Sequence, residues 1–280
     1  MPTAFKRVIV VGDAGKPRVR ETVDRALPIV RELADVAAVD LNGSDPLDPA
    51  GADLALVFGG DGEILKTGRR LQANELPLCG INLGKLGFLA SIRDDQLERS
   101  LPPVLAGKYT MTATRMLDCA ARRDGEVMFT SRAANDAVIS RGALSRIVPV
   151  DLLIDGENVT TYNGDGFIVS TPLGSTAHSL SAGGPIVEPE IEAMILTPIC
   201  PHTLSNRPLV VPGHRQIEVV IGGDCQGMAL TVDGQVFQTL EAGDVVSVTP
   251  ADQSLRLVRT AGYSFFRTIR EKLGWSGHLG

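Results

Sequence analysis

The pattern of apolar residues along this chain changes once, near residue 110. Before that point, short apolar runs alternate with stretches of helical spacing, as in residues 7–11, 18–33, 53–58 and 78–81. Regular alternation of strands and helices is typical of a parallel sheet that helices cover. The sequence therefore predicts an α/β N-terminal domain over residues 1–110, built as a parallel sheet with flanking helices.

After that point, short runs rich in β-branched residues dominate, and turn residues separate them. The predicted strands cover residues 148–154, 157–162, 167–170, 216–221, 228–232, 235–240 and 244–249. The dipeptides Asp155-Gly156 and Asp233-Gly234 fit hairpin turns. Strands of this kind predict an all-β sandwich or prism, and we assign them to a β-rich C-terminal domain over residues 111–255.

The last part of the chain returns to helical spacing. In residues 264–273, one stripe carries Phe265, Phe266, Ile269 and Leu273. An amphipathic helix needs an apolar surface to cover. We therefore expect the C-terminal segment 256–280 to pack back on the first domain.

Composition and charge narrow the class of protein. Of the 280 residues, 44% are hydrophobic and 21% are charged, which is enough for two ordinary domains with apolar cores. The net charge of -6 argues against nucleic-acid binding, because such proteins carry a basic patch or stripe. Residues 5–13 are typical of a buried strand rather than a signal peptide, and no apolar run reaches the length of a membrane span.

Cysteine usage points to a reducing compartment. The sequence has four cysteines without the paired spacing of a zinc site, Cys79, Cys119, Cys200 and Cys225. We expect reduced and mostly buried thiols. The sequence thus predicts a globular cytoplasmic protein with no metal site formed by its own side chains, no nucleic-acid partner and no membrane partner.

One glycine cluster follows an apolar run in the first domain. Leu54–Phe58 leads into Gly59-Gly60-Asp61-Gly62, and helical spacing comes next, which predicts a strand, a tight turn and a helix. The turn offers backbone N–H groups at a helix start, where anions are favoured, and one carboxylate, Asp61. The motif matches neither the Rossmann fingerprint nor the Walker loop, and Asp-Gly is also an ordinary turn dipeptide. Taken alone, it does not decide between a functional turn and a plain one.

A second glycine-rich segment covers residues 162–189. Glycine permits close approach to the backbone, and five side chains offer hydroxyls that could serve phosphate or ribose oxygens, Thr171, Ser175, Thr176, Ser179 and Ser181. The apolar residues 167–169 lead directly into these glycines, as a strand leads into a binding loop. A binding loop is therefore favoured over a plain Ser/Gly-rich surface loop.

With both segments considered, the chain resembles NAD kinases, which phosphorylate the 2′-hydroxyl of the adenosine ribose of NAD to form NADP. Five blocks in the family's order carry the resemblance, at residues 59–62, 82–89, 135–136, 165–185 and 197–209. The first block is shared with diacylglycerol, sphingosine and 6-phosphofructokinases, whereas the third to fifth are specific.

The resemblance implies the partners and the architecture. NAD and ATP, or another phosphate donor, are the expected substrates, and a divalent metal, Mg²⁺, is expected to arrive with the donor phosphates. An α/β domain and a β-rich domain are expected to flank a cleft, and the chain is expected to form a homo-oligomer, either a dimer or a tetramer.

Phosphoryl transfer to an alcohol needs aligned phosphates, neutralised charge and a base near the hydroxyl. Asp61 suits the base, because a glycine turn fixes it, and the resemblance implies this role. The alternative is an aspartate that caps the helix. Gly60 and Gly62 complete the loop, and Lys66 could reach a phosphate or be a solvated helix lysine.

The dinucleotide contacts follow from the later blocks. Asn135 and Asp136 supply an amide and a carboxylate for ribose hydroxyls and adenine edges, although out of context the pair would be a turn. Asp165 matches another NAD contact, although alone it would be a hairpin turn. The resemblance adds further contact residues, namely Arg146, Leu173, Thr176, Ala177, His178, Ser179, Leu180, Ser181 and Gln235.

The sequence departs from the family at three positions. Glu63 stands where many members have Thr or Ser, which places an extra negative charge beside the expected phosphates. His178 replaces a tyrosine, so we expect weaker stacking on NAD and an NAD affinity that varies between about pH 6 and 7.5. Leu173 replaces a common threonine. None of these changes removes the base or the pocket.

Two other functions stay open on the sequence. A lipid or sugar kinase of the same superfamily should lack the Asn135-Asp136 and Gly174-Ser175-Thr176 pattern and, for a lipid, should expose an apolar groove. A catalytically weak NAD-binding regulator would bind NAD and form no NADP. Turnover of NAD with ATP and magnesium separates all three.

Overall fold

The computed structural model describes residues 3–43, 46–72, 74–84, 87–142, 148–203, 206–223 and 225–275. The chain divides into two compact units. The first runs up to Thr112 and resumes at Arg256, and the second is Ala113–Leu255. Among the helices of these described segments, none combines the length and the apolar character that crossing a membrane requires.

The N-terminal part of the first unit is a parallel sheet with helices. Its elements are β1 (Arg7–Gly12), α1 (Val19–Leu33), β2 (Asp35–Asp40), β3 (Leu54–Phe58), α2 (Asp61–Arg70), β4 (Leu78–Asn82), β5 (Ile92–Arg93) and α3 (Leu97–Leu105). Parallel pairing gives the order β2-β1-β3-β4, and β5 pairs with β4. Every residue of β3 and β4 is buried, as expected for strands covered on both faces.

Helix α1 shows why this unit folds as it does. Its buried positions include Val19, Val23, Ala26 and Val30, which fall on one stripe at helical spacing. That stripe belongs to the same apolar core as the strand residues Val10 and Leu56 and the α3 residue Leu101. The helical pattern of residues 18–33 is therefore confirmed, with its apolar stripe in the core that also holds the sheet.

The second unit consists mainly of strands. They are β6 (Tyr109–Arg123), β7 (Glu126–Ala133), β8 (Asp136–Ser140), β9 (Val148–Ile154), β10 (Glu157–Gly164), β11 (Gly166–Ser170), β12 (Ala193–Ile199), β13 (Leu209–Pro212), β14 (Ile217–Ile221), β15 (Ala229–Val232), β16 (Val236–Thr239) and β17 (Val245–Thr260), with a short helix α4 (His178–Ser181). One antiparallel set runs β10-β9-β14-β17, and another runs β13-β12-β11-β8-β15-β16.

The two sets of strands share one apolar core. Leu152 of β9 and Val219 of β14 belong to the same buried cluster as Val169 of β11, Leu196 of β12 and Leu230 of β15. This is the arrangement of a sandwich, in which alternate side chains of each sheet face inward. The predicted fold class, an α/β N-terminal part followed by a β-rich C-terminal part, is confirmed.

Both predicted hairpin turns are present. Asp155-Gly156 joins β9 to β10, and Asp233-Gly234 joins β15 to β16. Each aspartate has a φ near 50°, and each following glycine is also in the left-handed region, with φ of 79° and 66°. Two consecutive positive φ angles define the type I′ turn that matches the twist of a hairpin.

The chain returns to the first unit along β17, whose last residues 256–260 belong there. Helix α5 (Phe265–Leu273) follows, with Ser264 as its N-cap and Gly274 after its end. Ile269 is buried, whereas Phe266 is 60% exposed, so only part of the predicted apolar stripe is covered. The strand predicted over residues 244–249 is also far longer than expected.

Candidate active site

Asp61 is the first residue of α2, and its side chain does not cap that helix. The N-cap residue is Gly60. The Asp61 carboxylate instead accepts hydrogen bonds from the backbone N–H groups of Phe88 at 2.7 Å, Leu89 at 3.1 Å and Ala90 at 3.4 Å. The alternative interpretation as a capping aspartate is therefore wrong, and the predicted strand, turn and helix are confirmed.

The segment that holds Asp61 approaches it very closely at Gly87. A Cβ atom added at Gly87 would lie 1.9 Å from Asp61 Oδ1, so a larger residue would displace the carboxylate. A carboxylate has roughly four acceptor sites. Among the described residues, three backbone N–H groups donate to this carboxylate, which leaves one site for a hydroxyl proton.

Glu63 does not act as an isolated charge beside the glycine turn. Its side chain is 1% exposed, and Oε2 accepts a hydrogen bond from Lys16 Nζ at 2.6 Å. Its Cβ packs against Gly59, where an added Cβ would lie 2.7 Å away. Oε1 is buried and has no hydrogen-bond partner among the described residues. The expected extra negative charge is thus compensated by Lys16.

Lys66 lies further along α2 and points to a loop of its own unit. Its Nζ would lie 2.7 Å from a Cβ added at Gly43, in the segment that follows β2. Lys66 is half-buried, so it is neither a fully solvated helix lysine nor a core residue. Contact with a phosphate stays a prediction for this residue.

In the second unit, one carboxylate holds the Asn135-Asp136 pair. Asp233 Oδ1 accepts hydrogen bonds from the backbone N–H groups of Ala134 at 3.1 Å, Asn135 at 2.8 Å and Asp136 at 3.2 Å. The Asp233 N–H donates back to the Asp136 carbonyl at 2.9 Å. The turn residue Asp233 therefore fixes the backbone of the two residues that were predicted to contact the dinucleotide.

The glycine-rich segment packs on the same two residues. Gly174 lies so close to Asn135 that an added Cβ would be 2.2 Å from the Asn135 carbonyl oxygen. That carbonyl accepts the Thr171 N–H at 2.8 Å, and Thr171 Oγ1 donates to the Ala134 carbonyl at 2.7 Å. The structure thus brings together segments 134–136, 170–174 and the turn at Asp233.

Three hydroxyls of this segment face inward rather than outward. Thr171, Ser175 and Ser179 are each 0% exposed. Ser175 Oγ donates to the Val187 carbonyl at 3.1 Å, and Ser179 Oγ lies 2.9 Å from Thr197 Oγ1. These three hydroxyls form hydrogen bonds within the protein. They therefore do not face a ligand, contrary to the expectation from the sequence. Binding by Ser179 would have to use its backbone.

His178 forms a pair with the buried Asp136. Its Nδ1 lies 3.2 Å and 3.3 Å from the two carboxylate oxygens, and Asp136 is 0% exposed. The hydrogen bond to Asp136 raises the pKa of His178, and the charges of Asp136 and Asp233 act in the same direction, while burial opposes them. The ring also adjoins Gly234, where an added Cβ would lie 3.3 Å from Cε1.

The His178 pair gives a testable pH dependence. The folded pKa is raised above the ordinary value of 6.5, so the stabilisation is complete below that pH and is lost as the pH rises through the folded pKa. The wild type should therefore be more stable than His178→Gln at low pH, and this advantage should shrink above 6.5. Thermal unfolding of both proteins at a series of pH values measures this difference in stability. A difference that does not change with pH would contradict the pairing of His178 with Asp136.

Because the pairing raises the pKa of His178, we expect NAD affinity to change at a higher pH than the window inferred from the sequence. His178→Tyr is still predicted to tighten NAD binding several-fold through its larger ring. Calorimetric titration with NAD at a series of pH values, on both proteins, provides the comparison. Equal affinities throughout would mean that residue 178 does not contact the dinucleotide.

Asp165 joins the two antiparallel sets rather than forming a hairpin. It lies between β10 and β11, which pair with different neighbours. Its carboxylate accepts hydrogen bonds from Arg141 at 2.7 Å and 2.8 Å, and its side chain is 34% exposed. The hairpin interpretation is therefore wrong, and the carboxylate remains accessible. Its contact with NAD stays a prediction.

The other predicted contact residues vary in exposure. Leu173 is buried, Thr176, Ala177 and Leu180 are half-buried, and Ser181 and Gln235 are exposed. Gln235 follows Gly234 in the turn beside His178. Arg146 lies outside the described residues. The sequence did not predict the ion pair of Lys16 with Glu63, nor the hydrogen bonds from the backbone of residues 134–136 to the Asp233 carboxylate. For Asp233, the Asp-Gly turn was the one feature of the sequence that drew attention to the residue.

Comparisons with known proteins agree on one family. The model of the ATP-NAD kinase N-terminal domain matches residues 40–109, and that of the ATP-NAD kinase C-terminal domain matches residues 134–260. An NAD kinase of Rhodopirellula baltica is 39% identical over 98% of this chain and 88% of that protein. The chain belongs to the NAD kinase family.

Solved structures give the same result. The structure of yeast NADH kinase complexed with NADH has a TM-score of 0.87 and 26% identity, covering 100% of this chain and 89% of the other. An NAD kinase from Archaeoglobus fulgidus in complex with ATP has a TM-score of 0.74 and 27% identity, covering 96% of this chain and 98% of the other. The resemblance inferred from the sequence is confirmed.

Proposed function

We propose that this protein transfers a phosphoryl group from ATP to the 2′-hydroxyl of the adenosine ribose of NAD, with Asp61 as the general base. The observation that carries the proposal is the Asp61 carboxylate, held by the backbone N–H groups of residues 88–90 at the start of a helix. A carboxylate that the protein backbone holds in a fixed orientation can take a hydroxyl proton without reorganising. The membership in the NAD kinase family supports the substrate pair.

The dinucleotide is proposed to bind along the Asn135-Asp136 segment. Asn135 Oδ1 is buried and has no hydrogen-bond partner among the described residues, which is the state expected of an acceptor that a ligand N–H completes. His178, which pairs with the Asp136 carboxylate and has a side chain that is 55% exposed, can meet ribose hydroxyls. The residues present therefore fit a nucleoside ligand.

The remaining predicted residues complete the proposed site. Gly60 and Gly62 supply the backbone of the donor loop with Lys66, and Asp165 offers an accessible carboxylate. The other proposed contacts of the dinucleotide are Arg146, Leu173, Thr176, Ala177, Ser179, Leu180, Ser181 and Gln235. We assign donor binding to an α/β domain of residues 1–110 with 256–280, and dinucleotide binding to residues 111–255.

The divalent metal is proposed to enter with the phosphates of the donor. Mg²⁺ keeps several waters and is typically bound by substrate phosphates with one or two carboxylates. NADP formation should therefore stop when a chelator is added and return with excess magnesium. Elemental analysis of the purified protein provides a second readout, and stoichiometric zinc would contradict the proposal.

Three further properties belong to the proposal. Three of the four cysteines are buried, which supports a cytoplasmic location with a reducing environment. A dimer or tetramer is proposed from the family resemblance, and sedimentation velocity tests it. The partners are the small molecules NAD and ATP.

A substrate panel tests the proposed function against its alternatives. The purified protein is incubated with ATP, magnesium and one acceptor at a time, namely NAD, NADH, a diacylglycerol or fructose 6-phosphate. Phosphorylation confined to the dinucleotides is the expected result. Phosphorylation of the lipid or the sugar would contradict the proposal, and NAD binding without turnover would favour a regulator.

A further inference from the structure

A buried arginine lies behind the segment that holds Asp61. Arg259 is the second-to-last residue of β17. It is 1% exposed and is among the largest fully buried side chains of the described residues. Nothing in the sequence pattern around it predicted a role. Burying a guanidinium costs several kcal/mol unless the surrounding groups compensate it, so its contacts call for an explanation.

The guanidinium contacts two consecutive peptide groups. Arg259 Nη1 donates to the Phe88 carbonyl at 3.2 Å and to the Leu89 carbonyl at 2.7 Å. The peptide group that carries the Phe88 carbonyl also carries the Leu89 N–H, and that N–H donates to Asp61. The next peptide group carries the Leu89 carbonyl and the Ala90 N–H, which also donates to Asp61. Each peptide group thus lies between the cation and the carboxylate.

This arrangement aligns the peptide dipoles with both charges. A carbonyl that accepts from a cation becomes more polarised, and its peptide N–H becomes a stronger donor. Burial lowers the pKa of Arg259, while the neighbouring Tyr263 and the charge of Asp61 act to raise it. The guanidinium also lies 4.3 Å from the Tyr263 ring centroid, a cation–π distance that keeps it in place.

We propose that Arg259 is a positioning residue for the phosphoryl transfer, acting through the peptide groups of residues 88–90 to fix the orientation of the Asp61 carboxylate. The inference rests on the proposed role of Asp61 as the base. Arg259 itself is not placed in contact with substrate. Loss of its charge should leave the carboxylate able to rotate away from the hydroxyl it serves.

The test compares Arg259→Met, Arg259→Lys and Arg259→Ala with a control, Arg256→Met. Arg256 lies on the same strand, and its side chain pairs with Glu75 in the same unit. We expect kcat of Arg259→Met to fall by about 10- to 100-fold, as for a misplaced catalytic group, with the KM for ATP nearly unchanged. Arg259→Lys should fall less, and Arg256→Met should stay close to wild type.

Chemical rescue separates positioning from a merely structural role. Methylguanidinium added to Arg259→Ala should restore kcat in a concentration-dependent way, while an equal concentration of methylammonium should restore less. Activity is divided by the number of NAD-binding sites found by calorimetry, so that a loss of folded protein is not counted as slow turnover.

Several results would overturn the inference. Per-site kcat of Arg259→Met within about threefold of wild type would do so, as would the absence of any methylguanidinium rescue when kcat is low. If Arg259→Met does not fold, the per-site kcat of Arg259→Lys and the methylguanidinium rescue of Arg259→Ala are judged by the same two criteria. An inactive wild type, or a fully active Asp61→Asn, would instead mean that the proposed function or the base is wrong.

Discussion

Asp61→Asn is expected to abolish NADP formation while NAD affinity stays within a few-fold of wild type. Asparagine keeps the shape and one acceptor oxygen, but Phe88 N–H donates to one oxygen of Asp61 and the N–H groups of Leu89 and Ala90 donate to the other, so the amide NH2 faces at least one backbone donor. It cannot accept the ribose proton, and loss of a general base costs about 100-fold or more in turnover. Initial rates of NADP formation and calorimetric titration with NAD measure the two quantities.

Asp53→Asn is the matched control for this variant. Asp53 belongs to the same unit, and its carboxylate also accepts backbone N–H groups, from Lys6 at 2.8 Å and Arg7 at 3.0 Å. Its replacement should therefore perturb the fold in a similar way without affecting turnover. If Asp61→Asn keeps more than about a tenth of wild-type turnover, Asp61 is not the base.

Asp233→Ala is expected to weaken both folding and NAD binding. The substitution leaves the N–H groups of Ala134, Asn135 and Asp136 without their shared carboxylate. Buried donors without partners cost about 1 to 3 kcal/mol each, so for three donors we expect a loss of at least about 3 kcal/mol in the free energy of unfolding. Because the Asn135-Asp136 backbone loses its anchor, NAD affinity should fall by about tenfold or more.

The control for Asp233→Ala is Asp124→Ala. Asp124 occupies a turn with the same left-handed backbone, at a φ of 50°, and it is exposed. The difference between the two variants in urea unfolding therefore isolates the contribution of the Asp233 carboxylate from the strain of alanine in that turn. Equal losses for the two variants, with unchanged NAD affinity, would show that Asp233 is only a turn residue.

The elements that follow local patterns were predictable. The apolar run before Gly59 and the helical spacing after Gly62 predict β3 and α2, and both are present. The β-branched runs and Asp-Gly turns likewise predict β9, β10 and β15. Strand β2 was not predicted, because it has only three half-buried alanine and valine residues at its centre and therefore no long apolar run. Strand β12 was missed as well, and it contains Pro198, a residue uncommon inside strands.

The groups that hold the candidate site were not predictable from the sequence. Asp61 meets its donors 27 to 29 residues away, and Arg259 meets its acceptors 170 and 171 residues away. Contacts at such separations leave no periodic trace in the chain. Asp233 shows the same limit, because its turn was recognised while the partners of its carboxylate, 97 to 99 residues away, were not.

The hydroxyl residues of the glycine-rich segment show a second limit. Their chemistry suits phosphate and ribose, yet Thr171, Ser175 and Ser179 are buried and bonded within the protein. A tightly folded loop has many backbone groups of its own to satisfy, and short hydroxyl side chains do this well. Composition therefore could not assign the individual side chains of this segment, and its role as a binding loop stays a prediction.

The most direct test of the account is the product formed from NAD. The purified protein is incubated with NAD, ATP and magnesium, the product is assayed with an NADP-specific dehydrogenase, and phosphorus NMR locates the new phosphate. The expected result is one NADP for each ATP consumed, with the phosphate on the 2′-oxygen of the adenosine ribose. ATP hydrolysis without NADP, or a phosphate at any other position, would contradict it.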